Sequence, residues 1–264
     1  MDLGLKGKRA LVTGSTAGIG FAAALALARE GARVVVNGRT EERVRAAIRS
    51  IREEVPVADV SGVAADLGGA EGCALVTRQV SELDILVNNV GIFDPKPFEE
   101  IPDEDWIRFF ETNVMSGVRL SRHYVAGMRA RDWGRIVFVS SESALQIPVE
   151  MIHYGMTKTA QLAVARGLAE SLASTGVTVN SVLPGPTRSE GVGEFITRLA
   201  RTRGVDPAEA EREFFATARP SSILQRFATP DEVAAMIAYV CSERASATTG
   251  AALRVDGGVV RAIP

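Results

Sequence analysis

The chain has 264 residues, 46% hydrophobic and 23% charged, which is typical of a soluble globular protein large enough to form one full hydrophobic core. Its formal net charge of −2 provides no electrostatic attraction for nucleic acid or an anionic membrane, so neither is expected as a partner. Small neutral or mixed-charge partners are favoured instead.

The two cysteines, Cys73 and Cys241, lie far apart and lack the spacing of metal ligands. They are therefore expected to be free thiols in a reducing compartment, with no metal site. The first residues contain no apolar signal segment, and no later run reaches the roughly 18 apolar residues that a membrane helix needs. A cytoplasmic location is expected.

Short apolar runs alternate with longer amphipathic segments along the chain, a pattern of β-α-β units around a parallel sheet buried on both faces. Right-handed crossovers would place helices on both faces of that sheet. The sequence thus predicts an α/β fold, a single Rossmann-type doubly wound domain over residues 1–264. The strands are predicted at 9–13, 33–37, 62–65, 85–88, 135–140, 178–183 and 252–255, and the helices at 18–30, 41–54, 70–81, 103–130, 154–174 and 230–241.

Residues 187–222 interrupt this alternation, because they are polar, mixed in charge and rich in glycine. They follow the sixth predicted strand, and open α/β sheets bind ligands beyond the carboxyl ends of their strands. A substrate lid is favoured here over a plain surface excursion.

A glycine-rich turn follows the first strand, at residues 13–20. Gly14, Gly18 and Gly20 would let the backbone approach a pyrophosphate, whose charge the N–H groups of the next helix would meet. Glycine at a helix start can also serve packing alone. The strand before the turn and the helix after it favour a nucleotide site.

The end of the second strand carries Asn37, Gly38 and Arg39, where a dinucleotide's adenosine ribose would lie. Arg39 could bond a 2′-phosphate and stack on adenine, which favours NADP(H). In the alternative, Arg39 is solvated and Asn37 contacts the ribose of NAD(H).

Tyr154 and Lys158 are four residues apart and so share one helix face. A nearby ammonium would lower the pKa of the phenol and make it a better acid for a carbonyl oxygen. Ser141 ends the fifth strand at the same edge of the sheet and could bond that oxygen. The competing interpretation is an ordinary helix with a solvated lysine.

These motifs, in this order, resemble the short-chain dehydrogenase/reductase family, and within it the 3-oxoacyl-carrier-protein reductases. The glycine turn has the family's T-G-x-x-x-G-x-G spacing, residues 88–91 match N-N-A-G except at Val90, and residues 184–187 match its P-G turn. The resemblance implies these cofactor-binding residues: Gly14, Ser15, Thr16, Gly18, Ile19, Gly20, Asn37, Arg39, Asp66, Leu67, Asn88, Asn89, Gly91, Tyr154, Lys158, Pro184, Gly185 and Thr187.

The same resemblance implies a catalytic set of Asn113, Ser141, Tyr154 and Lys158. Tyr154 would be the acid in reduction and the base in oxidation, and Lys158 would also bind the nicotinamide ribose. Asn113 would anchor a water that links Lys158 to solvent, although a buried asparagine in a helix can be purely structural. The residues considered for substrate contact are Ser143, Gln146, His153, Val192 and Phe195, with His153 expected beside the site or at an interface rather than as a base.

Three functions remain open on the sequence. The first is an oxidoreductase moving hydride between nicotinamide and a carbonyl or secondary alcohol. The second is a 3-oxoacyl-carrier reductase, whose acidic carrier protein would dock on Arg119, Arg122, Arg129, Arg131 and Arg135. The third is a catalytically idle nucleotide sensor or scaffold. The resemblance also implies a homo-oligomer, a tetramer or dimer, formed through the helices that begin near Asp103 and Tyr154.

Overall fold

The computed structural model describes residues 2–263, apart from the side chains at positions 190, 191, 194 and 195. Within this range seven parallel strands form one sheet, in the order β3-β2-β1-β4-β5-β6-β7. The strands are β1 Arg9–Val12, β2 Arg33–Gly38, β3 Val60–Ala64, β4 Ile85–Asn88, β5 Gly134–Val139, β6 Val177–Pro184 and β7 Ala252–Val255. The predicted Rossmann-type fold is confirmed.

The helices of the described chain lie on both faces of the sheet. They are α1 Gly18–Arg29, α2 Glu41–Glu54, α3 Ala70–Gln79, α4 Asp103–Phe110, α5 Ser116–Ala130, α6 Ile152–Ser171, α7 Glu190–Arg203, α8 Pro207–Thr217 and α9 Pro230–Cys241. One core cluster joins the sheet to α1 and α9, for example through Leu27 and Ile237. The other joins it to α3, α5 and α6, for example through Val76, Met128 and Ala165.

Strand burial explains the apolar composition of the sheet. All six residues of β5 and all eight of β6 are buried, because helices cover both faces and each strand has a neighbour on either side.

Since the strands are parallel, their carboxyl ends meet at one edge. The glycine turn and residues 88–91, 140–143 and 184–187 all leave the sheet at that edge.

The predicted helix over 103–130 is interrupted by a π-helical turn at Glu111–Met115, between α4 and α5. Such turns are frequent at functional sites. It contains Asn113, and hydrophobic periodicity gives no signal for it.

The 187–222 segment contains α7 and α8, which the sequence interpretation did not predict. Ser189 caps the start of α7 and Gly204 ends it in a left-handed conformation with φ of 68°, while Asp206 caps α8 with Pro207 in its first turn. A separate apolar cluster holds the two helices together, formed by Ile196, Ala200, Ala210, Phe215 and Phe227. The segment is therefore a small helical unit with its own core.

Cys73 and Cys241 are free and buried, which confirms the prediction of free thiols. Over the described range, no helix combines the length and the apolar character required to cross a membrane.

Candidate active site

The glycine turn has a geometry that side chains would block. Gly14 and Gly18 have φ of 61° and 56°, in the left-handed region that favours glycine. A Cβ on Gly20 would lie 2.4 Å from the carbonyl oxygen of Gly14 and 2.5 Å from Nδ2 of Asn89. Asn89 braces the turn by donating to the carbonyls of Thr13 and Gly14, at 2.9 and 3.1 Å.

The helix that follows the turn presents its first-turn N–H groups without a side-chain cap. Helix α1 begins at Gly18, and its N-cap residue is Ala17, which has no capping group. Unpaired N–H groups and the positive end of the helix dipole together bind phosphate. The turn and helix start therefore fit a dinucleotide's pyrophosphate.

Ser15 and Asn37 support the turn from inside. The Ser15 hydroxyl donates to the Val12 carbonyl at 2.6 Å and accepts from the Asn37 N–H at 2.9 Å. The Asn37 side chain donates to the carbonyls of Val63 and Ala65 and accepts from the Gly14 N–H, each at 3.1 Å. These hydrogen bonds occupy both side chains, and the predicted contact of Ser15 and Asn37 with the cofactor, including Asn37 on the ribose of NAD(H), stays a prediction.

Asn88 and Leu67 likewise have side chains that contact the protein interior, and their predicted contact with the cofactor stays a prediction. The Asn88 amide is buried and donates to Ser121 Oγ at 3.2 Å, beneath α5, and the Leu67 side chain lies in the core. Asp66 is exposed, and its carboxylate accepts from the Gly68 N–H at 2.9 Å.

Gly38 leaves no room for a side chain. A Cβ there would lie 2.4 Å from Cγ2 of Thr16. Arg39, next to it, is exposed and has no hydrogen bond or ion pair with the described residues. The end of β2 thus presents a free guanidinium and no acid.

A cavity of about 450 Å³ opens beside this edge of the sheet. It brings together many of the residues singled out from the sequence: Ile19, Asn89, Gly91, Ser141, Ser143, Tyr154, Lys158, Pro184, Gly185, Thr187 and Val192. Residues of α7, α8 and the chain after them line its other side, including Leu199, Phe214 and Arg219.

Lys158 is buried beneath Tyr154. Its ammonium donates to the Val139 carbonyl at 3.0 Å and to Gln161 Oε1 at 3.3 Å, and lies 5.5 Å from the centre of the Tyr154 ring. A Cβ on Gly91 would come within 3.3 Å of that ammonium. Glycine at 91 therefore allows the lysine to reach this position.

Burial is the largest influence on the pKa of both Lys158 and Tyr154. It lowers the pKa of Lys158 to about 8, against the opposing effect of the Glu142 charge. It raises the pKa of Tyr154, with the Glu142 charge acting in the same direction. The predicted lowering of the tyrosine pKa by the Lys158 ammonium is not found, because burial is the largest influence on that pKa and raises it.

Ser141 takes part in a buried polar network that the sequence interpretation missed. Its hydroxyl donates to the Glu142 carboxylate at 2.5 Å and accepts from the Ser143 N–H at 3.1 Å. Glu142 also accepts from Arg219 Nε at 3.1 Å, and Arg219 Nη1 lies 3.2 Å from Glu150. The sequence offered one signal for this network, the acid Glu142 directly after a buried strand. Its partner Arg219 could not be identified, because it lies 77 positions away.

Asn113 is held by protein groups on every side of its amide. Its Oδ1 accepts from the Ile92 N–H at 2.8 Å, and its Nδ2 donates to the Ile92 carbonyl and to Thr157 Oγ1, both at 3.0 Å. The side chain thus ties the π-helical turn to residues 91–92 and to α6.

Two of the residues considered for substrate contact lie outside the cavity lining. His153 is fully buried against Trp106 and Phe109, with ring centroids 5.9 and 4.1 Å away, and neither ring nitrogen has a hydrogen-bond partner among the described residues. Burial lowers the His153 pKa. Gln146 instead donates to Ser221 at 3.4 Å. The side chain of Phe195 is outside the described residues.

The arginines considered for carrier docking do not form one exposed face. Arg135 is buried and donates to backbone carbonyls, Arg119 pairs with Glu111 at 2.7 Å, and Arg131 donates to the Leu83 carbonyl. Arg122 and Arg129 are exposed, so the docking of an acidic carrier protein on this helix stays a prediction.

The sheet, glycine turn and cavity are those of NAD(P)-dependent oxidoreductases, and comparison with known proteins defines the family. A family model described as enoyl-(acyl carrier protein) reductase matches residues 14–260. The uncharacterized oxidoreductase YvaG of Bacillus subtilis is 48% identical over 263 residues, covering 100% of both chains. The 3-oxoacyl-[acyl-carrier-protein] reductase FabG of Aquifex aeolicus is 32% identical, covering 98% of this chain and 100% of the relative.

Among solved structures, L-sorbose reductase from Gluconobacter frateurii, in complex with NADPH and L-sorbose, superposes with a TM-score of 0.93 at 34% identity, covering 100% of both chains. The chain belongs to the short-chain dehydrogenase/reductase family and is an oxidoreductase that uses a nicotinamide cofactor.

Proposed function

We propose that the protein reduces a carbonyl, or oxidises the matching secondary alcohol, with NADP(H), and that Tyr154 transfers the proton. The observation that carries the proposal is the convergence of Ser141, Tyr154 and Lys158 on one cavity beside a glycine turn suited to pyrophosphate. The bound nicotinamide supplies the hydride in reduction and accepts it in oxidation.

In reduction, Tyr154 donates its phenolic proton to the carbonyl oxygen. Burial keeps the phenol protonated, because it raises the tyrosine pKa. The Ser141 hydroxyl, once its proton turns from the Glu142 carboxylate to the substrate, holds the carbonyl oxygen in place, and the Lys158 ammonium stabilises the phenolate that remains. In oxidation the phenolate accepts the alcohol proton.

The preference for NADP(H) is supported at the end of β2. An acid that would bond the ribose hydroxyl of NAD is absent from position 38, and the Thr16 methyl 2.4 Å from a Cβ there leaves no room for one. Arg39 is exposed and unpaired among the described residues, so it is available to a 2′-phosphate. The relative crystallised with NADPH is consistent with this proposal.

For the substrate we propose a neutral, hydroxylated carbonyl compound. The two arginines of the cavity lining are already paired with carboxylates, Arg219 with Glu142 and Glu150, and Arg203 with Glu213. An anionic substrate would meet these acids, and the lining cation that has no carboxylate partner, Lys158, is buried beneath Tyr154, whereas hydroxyl groups can donate to the acids. The relative bound to L-sorbose has a substrate of this class.

The 187–222 segment is proposed as the lid over this substrate. Val192, Leu199, Phe214 and Arg219 all come from it and face the cavity. A 3-oxoacyl-carrier substrate is the second candidate, supported by the relative of that activity.

The proposal predicts that Tyr154→Phe lowers kcat for ketone reduction by at least about 100-fold while NADPH still binds. Tyr239→Phe is the matched control, because Tyr239 is 42% exposed and outside the cavity lining. A panel of ketoses, simple ketones, 3-oxo acids and 3-oxoacyl thioesters, read by NADPH absorbance, tests the substrate class. Turnover of Tyr154→Phe within tenfold of wild type contradicts the mechanism, and NADPH binding without turnover on any panel member favours the idle sensor.

Self-association is proposed through α4. Ile107 and Phe110 lie about one turn apart on this helix and are 64% and 40% exposed, and contiguous exposed apolar side chains mark interaction surfaces. Light scattering after size-exclusion chromatography is expected to give a dimer or tetramer, and an Ile107→Glu variant to give a smaller species. A monomeric wild type contradicts this part of the proposal.

A further inference from the structure

Gln161 lies between Lys158 and the π-helical turn. It is on α6, one turn after Lys158, and is 1% exposed. Its Nε2 donates to the Asn113 carbonyl at 2.5 Å, and its Oε1 accepts from the Lys158 ammonium at 3.3 Å. The orientation of the amide follows from chemistry, because an ammonium can only donate and a carbonyl oxygen can only accept.

The π-helical turn provides the other end of this bridge. The widened turn at Glu111–Met115 presents the Asn113 carbonyl towards α6, where Gln161 reaches it. The Asn113 side chain bonds Thr157 on the same helix at 3.0 Å. Asn113 thus makes two hydrogen bonds to α6, one to Thr157 and one to Gln161. Gln161 in turn bonds the Lys158 ammonium.

We propose that Gln161 is a positioning residue for Lys158, holding its ammonium beneath Tyr154 by bridging it to the Asn113 carbonyl. The inference rests on the proposed function of Lys158. In the expectation drawn from the family resemblance, a water anchored by Asn113 links Lys158 to solvent, and here a glutamine side chain spans the same two groups. An amide holds the ammonium in place, but its donor and acceptor are different atoms, so it does not hand on protons as a water chain does.

The surroundings of Lys158 make the effect of the Gln161 hydrogen bond on the lysine pKa measurable. Glu142, from the turn after β5, is the charged group that affects it, and Tyr154 lies above it on the same helix. Burial removes the ammonium from water, so each remaining acceptor has a large effect on the lysine pKa. Val139 and Gln161 supply those acceptors.

The test uses the full chain with Gln161→Leu and Gln161→Glu. The chain has only four lysines, so a ¹⁵N-lysine NMR titration can follow the Lys158 ammonium directly, without turnover. Gln161→Leu removes an acceptor and is expected to lower the Lys158 pKa by about one unit, whereas Gln161→Glu adds a negative charge and is expected to raise it by about one unit or more. The high-pH limb of kcat/KM is expected to shift in the same two directions.

Asn180→Leu is the matched control. Asn180 is also a buried amide that bridges two backbone groups, Thr248 and Ala251, but on β6 and away from Lys158. It is expected to lower the melting temperature without moving the Lys158 titration. Gln161→Met, which keeps the length of the side chain, replaces Gln161→Leu if that variant does not fold.

Opposite shifts in the two Gln161 variants support the inference. A Lys158 pKa that is the same in wild type and in both variants overturns it, even if activity falls. The titration separates this result from the proposed function: shifts without carbonyl reduction retain the positioning role and remove the proposed reaction, whereas reduction with unmoved titrations removes the positioning role alone.

Discussion

Arg219 and Glu142 form a buried ion pair, with Nε and Oε1 3.1 Å apart and their side chains only 10% and 6% exposed. Arg219 follows α8 in the 187–222 segment, and Glu142 follows Ser141 at the end of β5. Because Glu142 also accepts the Ser141 hydroxyl at 2.5 Å, the pair connects the proposed lid directly to a proposed catalytic group.

Removing Arg219 alone is predicted to lower the unfolding free energy more than removing both charges of the pair. Arg219→Met leaves the Glu142 carboxylate buried with its guanidinium partner gone, at a cost of about 3 to 5 kcal/mol in unfolding free energy, whereas Arg219→Met with Glu142→Gln leaves no such charge. Chemical denaturation of wild type and of the two variants checks this. Equal or greater destabilisation in the double variant would show that the pair is not coupled.

The sheet and the glycine turn could be predicted from local patterns, because buried parallel strands are apolar throughout and glycines with positive φ leave a spacing signature. The Tyr154 and Lys158 pair could be predicted because both residues lie on one helix. Glu142, Arg219 and Gln161 could not, because their roles depend on contacts between elements far apart in sequence. Ser15, Asn37 and Asn88 illustrate the converse: the motif gave their positions, but only tertiary hydrogen bonding revealed that their side chains face inwards.

The end of β2 yields a prediction about cofactor choice. Gly38→Asp alone is expected to impair both NADPH and NADH use, because its Cβ would lie 2.4 Å from Thr16 Cγ2. Adding Thr16→Ser removes that methyl group and is expected to restore activity with NADH rather than NADPH, since the acid repels a 2′-phosphate. The ratio of kcat/KM for the two cofactors measures it, and an NADPH preference retained in the double variant would contradict the assignment of the ribose site.

Protonation of Lys158 links stability to pH. Its pKa is lowered from 10.5 to about 8 in the folded, cofactor-free protein, so between these values the unfolded chain binds more protons than the folded one. The Lys158 contribution to unfolding free energy therefore rises as pH increases through this window, by about 3 kcal/mol in total. Urea denaturation of wild type and Lys158→Met from pH 7 to 10.5 should reveal it as a growing difference in favour of wild type. A constant difference would mean that the lysine is not desolvated in solution.

The separate core of α7 and α8 predicts that they open independently of the sheet. Phe215 is 1% exposed and packs against Phe227 with ring centroids 5.0 Å apart, whereas Phe138 belongs to the core beneath the sheet. Each change to alanine removes about 3 to 5 kcal/mol of packing, but Phe138→Ala is expected to lower the melting temperature of the whole domain and Phe215→Ala to destabilise mainly the 187–222 segment. Trypsin can report this, because Arg201 and Arg203 are exposed on α7. We expect Phe215→Ala to be cleaved faster at these arginines, to have a raised KM and to lose less melting temperature than Phe138→Ala. Equal melting temperatures in the two variants, with unchanged cleavage, would show that the segment unfolds only with the rest of the domain.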